Sequence, residues 1–187
     1  MKKLVLASKS PRRKEILSRE NFVFTVEESL FEESSKNLSP IDVAVFNAKG
    51  KASEVYNRLN DKNIVVLGAD TVVFINGELL GKPKNESDAF NMLKKLSNCV
   101  HEVVTGYAVA SESGVETGFV KTEVFFNELT DKKILEYIKT GSPMDKAGAY
   151  GIQDNFGLVK KIHGSYDNVV GLPIEEIRVA LLGALKN

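Results

Sequence analysis

The sequence predicts an α/β fold, a sheet with helices on its faces, and three observations carry that expectation. Helical and strand-like patterns interleave along the whole chain. Ile64-Val65-Val66-Leu67 is a continuous, largely β-branched run, as in a strand covered on both faces. The chain has 187 residues, 43% hydrophobic and 27% charged, which suffices for a sizeable core in one domain spanning the chain, or in two intimately packed lobes. No apolar stretch approaches the roughly 18 to 20 residues that span a bilayer. Met1-Lys2-Lys3 leads into only four apolar residues, Leu4 to Ala7, so neither membrane insertion nor secretion is expected. Twenty-five Lys and Arg balance 25 Asp and Glu, which removes the counterion-release drive toward nucleic acid. The single cysteine, Cys99, forms no internal disulfide, and His101 and His163 are too few for a zinc cluster. The expected setting is a reducing cytoplasm.

Each element has a local reason. Leu4 to Ala7 is a short buried-strand pattern, and Pro11, a residue favoured at the first helical position, opens a helix to about Ser18. Phe22 to Val26 reads as a strand. Glu27 to Ser39, acidic and serine-rich, carries too few apolar residues to be anything but an exposed loop, a candidate lid. Pro40 starts a long helix to about Asn60, with Ile41, Val45, Ala48, Ala52 and Val55 near helical spacing. The strand from Ile64 to Leu67 is expected to break at Gly68-Ala69-Asp70-Thr71 before Val72 to Ile75. Asn76-Gly77, which tolerates the positive φ of a type I′ turn, then folds Val72 to Leu80 back on itself. Glu86 to Leu96 is helical. Val103 to Ser111 and Val115 to Phe126 pair around Glu112-Ser113-Gly114, and Asp131 to Thr140 is a helix capped by Gly141. Leu158 to Ile162 is a last short strand and Ile174 to Leu185 a final amphipathic helix. There is no internal repeat, low-complexity tract or linker.

Three segments concentrate chemistry. In Ser8-Lys9-Ser10-Pro11-Arg12-Arg13-Lys14, three cations crowd a helix start, where the dipole is already positive. That makes sense if an anion occupies the turn, held by backbone N–H groups, serine hydroxyls and guanidinium forks; otherwise it is a solvated basic turn. Removing Arg13 is then expected to leave stability unchanged or slightly raised. Asp70 stands between apolar runs, as a ligand-facing acid or as the acceptor of an Asx-type turn. Asp145 to Gln153 alternates small residues with single polar ones, which lets backbone approach a ligand closely, or simply makes a tight irregular loop. Lys51 and Lys82 taken singly read as surface charges, and Glu32 and Glu33 as solvated acids. A Walker A loop, a nucleophile elbow, a zinc-protease helix and a dinucleotide fingerprint are all absent. What remains is acids for a hard cation and bases for phosphates, the material of a metal-dependent phosphate-ester or phosphoanhydride enzyme.

Five stretches in order make the chain resemble the Maf family of nucleoside triphosphate pyrophosphatases. They are Leu6 to Arg13, Gly68 to Val73, Leu80-Gly81-Lys82-Pro83, Asp145 to Gln153, and Gly164 to Pro173. The resemblance implies a mixed twisted sheet with flanking helices, two lobes around a central cleft, and a homodimer. It implies hydrolysis of a nucleoside triphosphate to monophosphate and pyrophosphate with Mg²⁺ or Mn²⁺, and Asp145 to Gln153 looks like the branch acting on dTTP and UTP. By the same resemblance, Asp70 is the proton acceptor, and Arg12, Thr71 and Gln153 are linked to substrate choice. Ser8, Arg13, Glu33, Lys51 and Lys82 line the site. One departure is Asp154, where the family commonly has glycine.

The implied mechanism has Glu33 and Asp70 holding the cation while Asp70 takes a proton from the water attacking the α-phosphorus. Arg12, Arg13, Lys51 and Lys82 stabilise charge on the departing pyrophosphate. The Gln153 amide matches O4 and N3–H of uracil or thymine, although guanine offers the same acceptor–donor order and a rotated amide suits cytosine. The alternatives are a pyrophosphatase for modified or purine nucleotides, and a nucleotide-binding regulator of septum formation.

Overall fold

The computed structural model describes residues 2–34 and 38–186. The described chain is a mixed α/β structure with seven strands in one sheet. The strands are β1 (Lys3–Leu6), β2 (Phe24–Val26), β3 (Ile64–Ile75), β4 (Glu78–Leu80), β5 (Val100–Ser111), β6 (Gly114–Phe126) and β7 (Val159–His163). The helices are α1 (Pro11–Arg19), α2 (Pro40–Leu59), α3 (Glu86–Leu96), α4 (Asp131–Ile138), α5 (Tyr166–Val170) and α6 (Ile174–Lys186). Strand order is β2-β1-β3-β5-β6-β7, with β4 paired to β3. β1 runs parallel to β2 and β3, with Val5 opposite Val66, while β4 and β7 are antiparallel to their neighbours.

The chain divides into two compact units. One comprises Met1–Thr71, Thr105–Val120 and Gly171–Asn187; the other comprises Val72–Val104 and Lys121–Val170. In the first, Val5, Ala7, Val66, Ala108 and Ala110 pack with Ala48, Ala52 and Val55 of α2. Small residues and glycines set how close that helix lies. A Cβ on Gly68 would meet the Ala48 carbonyl oxygen at 2.4 Å, and one on Gly106 would meet that of Ala44 at 2.4 Å. Helix backbone rests directly on strand backbone, and this brings α2 side chains over β3.

The expected break at Gly68 to Thr71 does not occur. β3 is one strand of twelve residues, and Asp70 lies inside it rather than in a turn. Gly68 packs against α2, and the Asp70 carboxylate finds partners on that helix, so nothing forces the backbone out of the extended state. The Asx-turn reading of Asp70 falls with it. The Asn76-Gly77 hairpin is present with φ of 49° and 83°. The strand expected from Phe22 starts at Phe24, because Phe22 N–H still donates to the Leu17 carbonyl behind α1. In the candidate lid, residues 27–34 form no helix or strand but are fastened to α2. Ser29 Oγ and Leu30 N–H donate to Glu54, and the Phe31 ring meets Phe46 edge-on. Ser35 to Asn37 of that segment lie outside the described residues.

The second unit gathers Val73, Ile75, Val103, Val124 and Phe126 with Leu93 and Leu96 of α3 and Ile134, Tyr137 and Ile138 of α4. Three short 3-10 turns, Ser142–Asp145, Ala147–Ala149 and Ile152–Asp154, make up the stretch around Asp145 to Gln153. His101 is buried in this core, 2.7 Å from Tyr150 Oη through Nε2, with no partner for Nδ1. Burial lowers its pKa from 6.5 to about 4. Between those pH values the unfolded chain binds a proton that the folded chain refuses. The His101 contribution is therefore fully present above 6.5 and is lost as pH falls toward 4, by about 3 kcal/mol in total. Urea unfolding at pH 7 and pH 4.5 should show a smaller acid loss in His101→Gln than in the parent protein.

Candidate active site

Asp70 is the centre of a cluster built by β3 and α2. Strand periodicity places Gly68 and Asp70 on one face, and helical i,i+4 spacing places Asn47 and Lys51 together above it. Asp70 Oδ1 accepts from Lys51 Nζ at 2.8 Å and Oδ2 from Asn47 Nδ2 at 2.9 Å. Lys51 Nζ also meets Glu33 Oε1 at 2.6 Å. The Lys51 and Asp70 side chains are each 11% exposed, whereas Glu33 is 56% exposed, so the inner pair carries most of the electrostatic weight. Lys51 and Glu33 are thus brought together around Asp70, and neither is the isolated surface charge that its immediate neighbours suggested. Asn47 was not foreseen. Its Oδ1 accepts from Ser34 N–H at 2.9 Å, tying the Glu33 segment to Asp70 through one amide. A polar residue at a core-facing position of α2, one turn before Lys51, is the signal that could have found it.

A second cluster surrounds the start of α1. α2, α3 and α4 each have a side-chain cap, from Ser39, Asn85 and Thr130, but Ser10 does not cap α1 with its hydroxyl, and no acid lies in the first turn. Arg13 is half-buried and engaged by the protein itself. Nε donates to the Gly171 carbonyl at 2.8 Å, Nη1 to Ser8 Oγ and Nη2 to Thr71 Oγ1, both at 3.2 Å. Thr71 Oγ1 in turn lies 2.9 Å from buried Thr105 Oγ1. Burial lowers the Arg13 pKa, opposed by the nearby Asp70 charge. This corrects the stability expected for Arg13→Ala. The substitution deletes three hydrogen bonds and leaves a carbonyl and two hydroxyls short of a donor, which outweighs relief at the helix dipole. A loss of about 1 to 3 kcal/mol is expected by denaturant titration. Arg12 occupies the same first turn, close enough to Arg13 to repel it.

Lys82 and Gln153 belong to the second unit. Lys82 is exposed just beyond β4, where the neighbouring Gly81 carbonyl accepts from Gly148 N–H at 3.0 Å, so the Leu80 to Pro83 and Asp145 to Gln153 stretches meet. Gly148 has a φ of 70°, which glycine adopts without strain. Gln153 lies in the last 3-10 turn, partly exposed.

The two carboxylates beside Lys51 bear on the metal question. Among the described residues no group of three or more His, Cys, Asp or Glu side chains is arranged to hold a metal ion. One or two carboxylates completed by phosphate oxygens and water is, however, how magnesium is commonly held. Glu33 and Asp70 fit that donor set.

The family described as Maf-like protein matches residues 3–184. A dTTP/UTP pyrophosphatase of Thermococcus kodakarensis is 53% identical over 175 residues, covering 93% of each chain. One from Bacillus pumilus is 50% identical over 176 residues, covering 93% of this chain and 92% of the relative. The solved structure of the Staphylococcus aureus Ham1 protein aligns over 97% of this chain and 99% of its own, with a TM-score of 0.57 and 16% identity, a likeness of fold. With half or more of the aligned positions identical over more than nine-tenths of such relatives, and with every stretch of the resemblance inside the matched span, this chain belongs to the Maf family.

Proposed function

We propose that the protein is a nucleoside triphosphate pyrophosphatase that hydrolyses dTTP and UTP to the monophosphate and pyrophosphate. The observation that carries this reading is the identity of 50 to 53% with dTTP/UTP pyrophosphatases over more than nine-tenths of the chain. The Asp70 cluster supports it. A buried carboxylate held from both sides is preorganised to accept a proton from the water that attacks the α-phosphorus. Lys51 balances the charge of that carboxylate at 2.8 Å, and Asn47 orients it without adding charge. Mg²⁺ or Mn²⁺, when bound, neutralises phosphate oxygens, and Glu33 and Asp70 would hold it. Ser8, Arg12, the N–H groups opening α1 and Lys82 are the proposed phosphate contacts. Arg13 acts by holding Ser8 and Thr71 in place as well as by its charge. Gln153 is the proposed reader of the pyrimidine edge, with Arg12 and Thr71 sharing in substrate choice. A regulator that only binds nucleotide gains nothing from an acid facing polyphosphate unless a cation intervenes.

The working form proposed is a cytoplasmic homodimer without nucleic-acid or membrane partners. The family resemblance and the balanced charge support it, and among the described residues no helix is long and apolar enough to cross a membrane.

The test is product analysis over dTTP, UTP, CTP, GTP and 7-methyl-GTP, with and without Mg²⁺. Monophosphate and pyrophosphate should appear from dTTP and UTP when the cation is present. Release of orthophosphate and diphosphate, or a preference for purines, would overturn the assignment.

A further inference from the structure

Gln153 is bracketed by two backbone positions that share one anchor. The Tyr137 hydroxyl, at the buried end of α4, accepts from Gly151 N–H at 2.9 Å and donates to Asp154 Oδ2 at 2.6 Å. The same Oδ2 accepts from Ser142 Oγ at 2.6 Å. Ser142 is held in its turn by Lys146, whose Nζ donates to Ser142 Oγ, to the Ser142 carbonyl and to Asp145 Oδ1. The turn itself closes by Asp154 N–H donating to the Gly151 carbonyl at 3.1 Å. Tyr137 is fully buried, with its ring 5.0 Å from that of Phe156, so the anchor is rigid.

The Gln153 side chain folds back into this assembly. A Cβ on Gly151 would come within 2.6 Å of Gln153 Nε2, 2.8 Å of Lys146 Cε and 3.0 Å of Asp154 Oδ2. Gly151 therefore makes room for the amide, and Lys146 and Asp154 wall the same space. A half-buried carboxylate is costly without donors, and Asp154 Oδ2 has two of them at 2.6 Å. The Asp154 side chain ties the turn down, which a residue without a side chain could not do.

We propose that Asp154 is a positioning residue for base recognition: through Tyr137 and Ser142 it clamps the Gly151 to Asp154 turn onto α4 and presets the Gln153 amide for the nucleobase. The proposal rests on the reading that Gln153 meets the base. Preorganisation of this kind lowers the entropy lost when substrate binds, so its removal acts mainly on KM and on discrimination between bases.

The experiment measures kcat and KM for dTTP, UTP and CTP with Mg²⁺, at a temperature where circular dichroism shows every variant folded. The variants are Asp154→Ala, Asp154→Asn, Tyr137→Phe, Gln153→Ala and the double Gln153→Ala/Asp154→Ala. Tyr137→Phe keeps the ring packed on Phe156 and loses only the hydroxyl, so it carries the test if Asp154→Ala does not fold. Asp154→Ala and Tyr137→Phe should each lower kcat/KM for dTTP about tenfold, chiefly through KM, and shrink the dTTP to CTP ratio. Asp154→Asn should restore most of the loss, because its Oδ1 still accepts from both hydroxyls. The double variant should be no worse than Gln153→Ala alone, since a residue acting through another adds nothing once that other is gone. A wild-type dTTP to CTP ratio in Asp154→Ala and Tyr137→Phe, with a lowered ratio in Gln153→Ala, would overturn the clamp and leave the base reading standing. Additive losses in the double variant would overturn it as well. An unchanged ratio in Gln153→Ala would remove the base reading and the proposal together.

Discussion

Asp70→Asn should lower pyrophosphate release by about 10² to 10³ while the protein stays folded. The amide keeps the size of the carboxylate and one acceptor for Lys51, but it cannot take a proton from water. Its NH₂ group also faces Asn47 Nδ2, whose own oxygen is committed to Ser34 N–H. A modest stability change is therefore expected beside the large catalytic one. Steady-state kinetics with dTTP, paired with thermal unfolding of both proteins, separates the two effects. Turnover at the parental level would remove Asp70 from the mechanism.

Lys51→Met should be the most damaging single change to stability in the same cluster. It strips the ammonium from between Asp70 and Glu33 while keeping an unbranched side chain of similar length. Breaking a largely buried pair leaves a charge uncompensated, and a loss of about 3 kcal/mol is expected without divalent cations. Most of it comes from Asp70, since the half-exposed Glu33 is screened by water. If the two carboxylates also hold a cation, added Mg²⁺ should recover part of the loss, measured as a rise in Tm over that in chelator. Equal unfolding of variant and parent would show that the three groups do not share one electrostatic centre.

Much of this was legible in the chain. Asn76-Gly77 predicted its hairpin because both residues accept positive φ, and Glu86 to Leu96 matched its helix to the residue because Asn85 caps it. The family resemblance named candidate site residues one by one, but not which of them are partners. The sequence presents Arg13 as a charge awaiting an anion, whereas three of its five N–H donors are used by Gly171, Ser8 and Thr71, the first of them 158 positions away.

What the sequence by itself determined is local and compositional: the alternation of helices and strands, the proline-opened helix starts, the hairpin, the family and the residue types suited to phosphate chemistry. What only the tertiary structure decided is which of those groups face one another. Gly68 looked like a strand breaker, but glycine there admits α2 against the sheet, so β3 runs on and Asp70 meets Lys51 and Asn47. Asp154 looked like an intruder after Gln153, but Tyr137 and Ser142 were waiting to donate to it. The physical reason is the same in both cases. Backbone preference acts over a few residues and can be read from them, whereas the cost of a buried charge depends on donors contributed from distant parts of the chain.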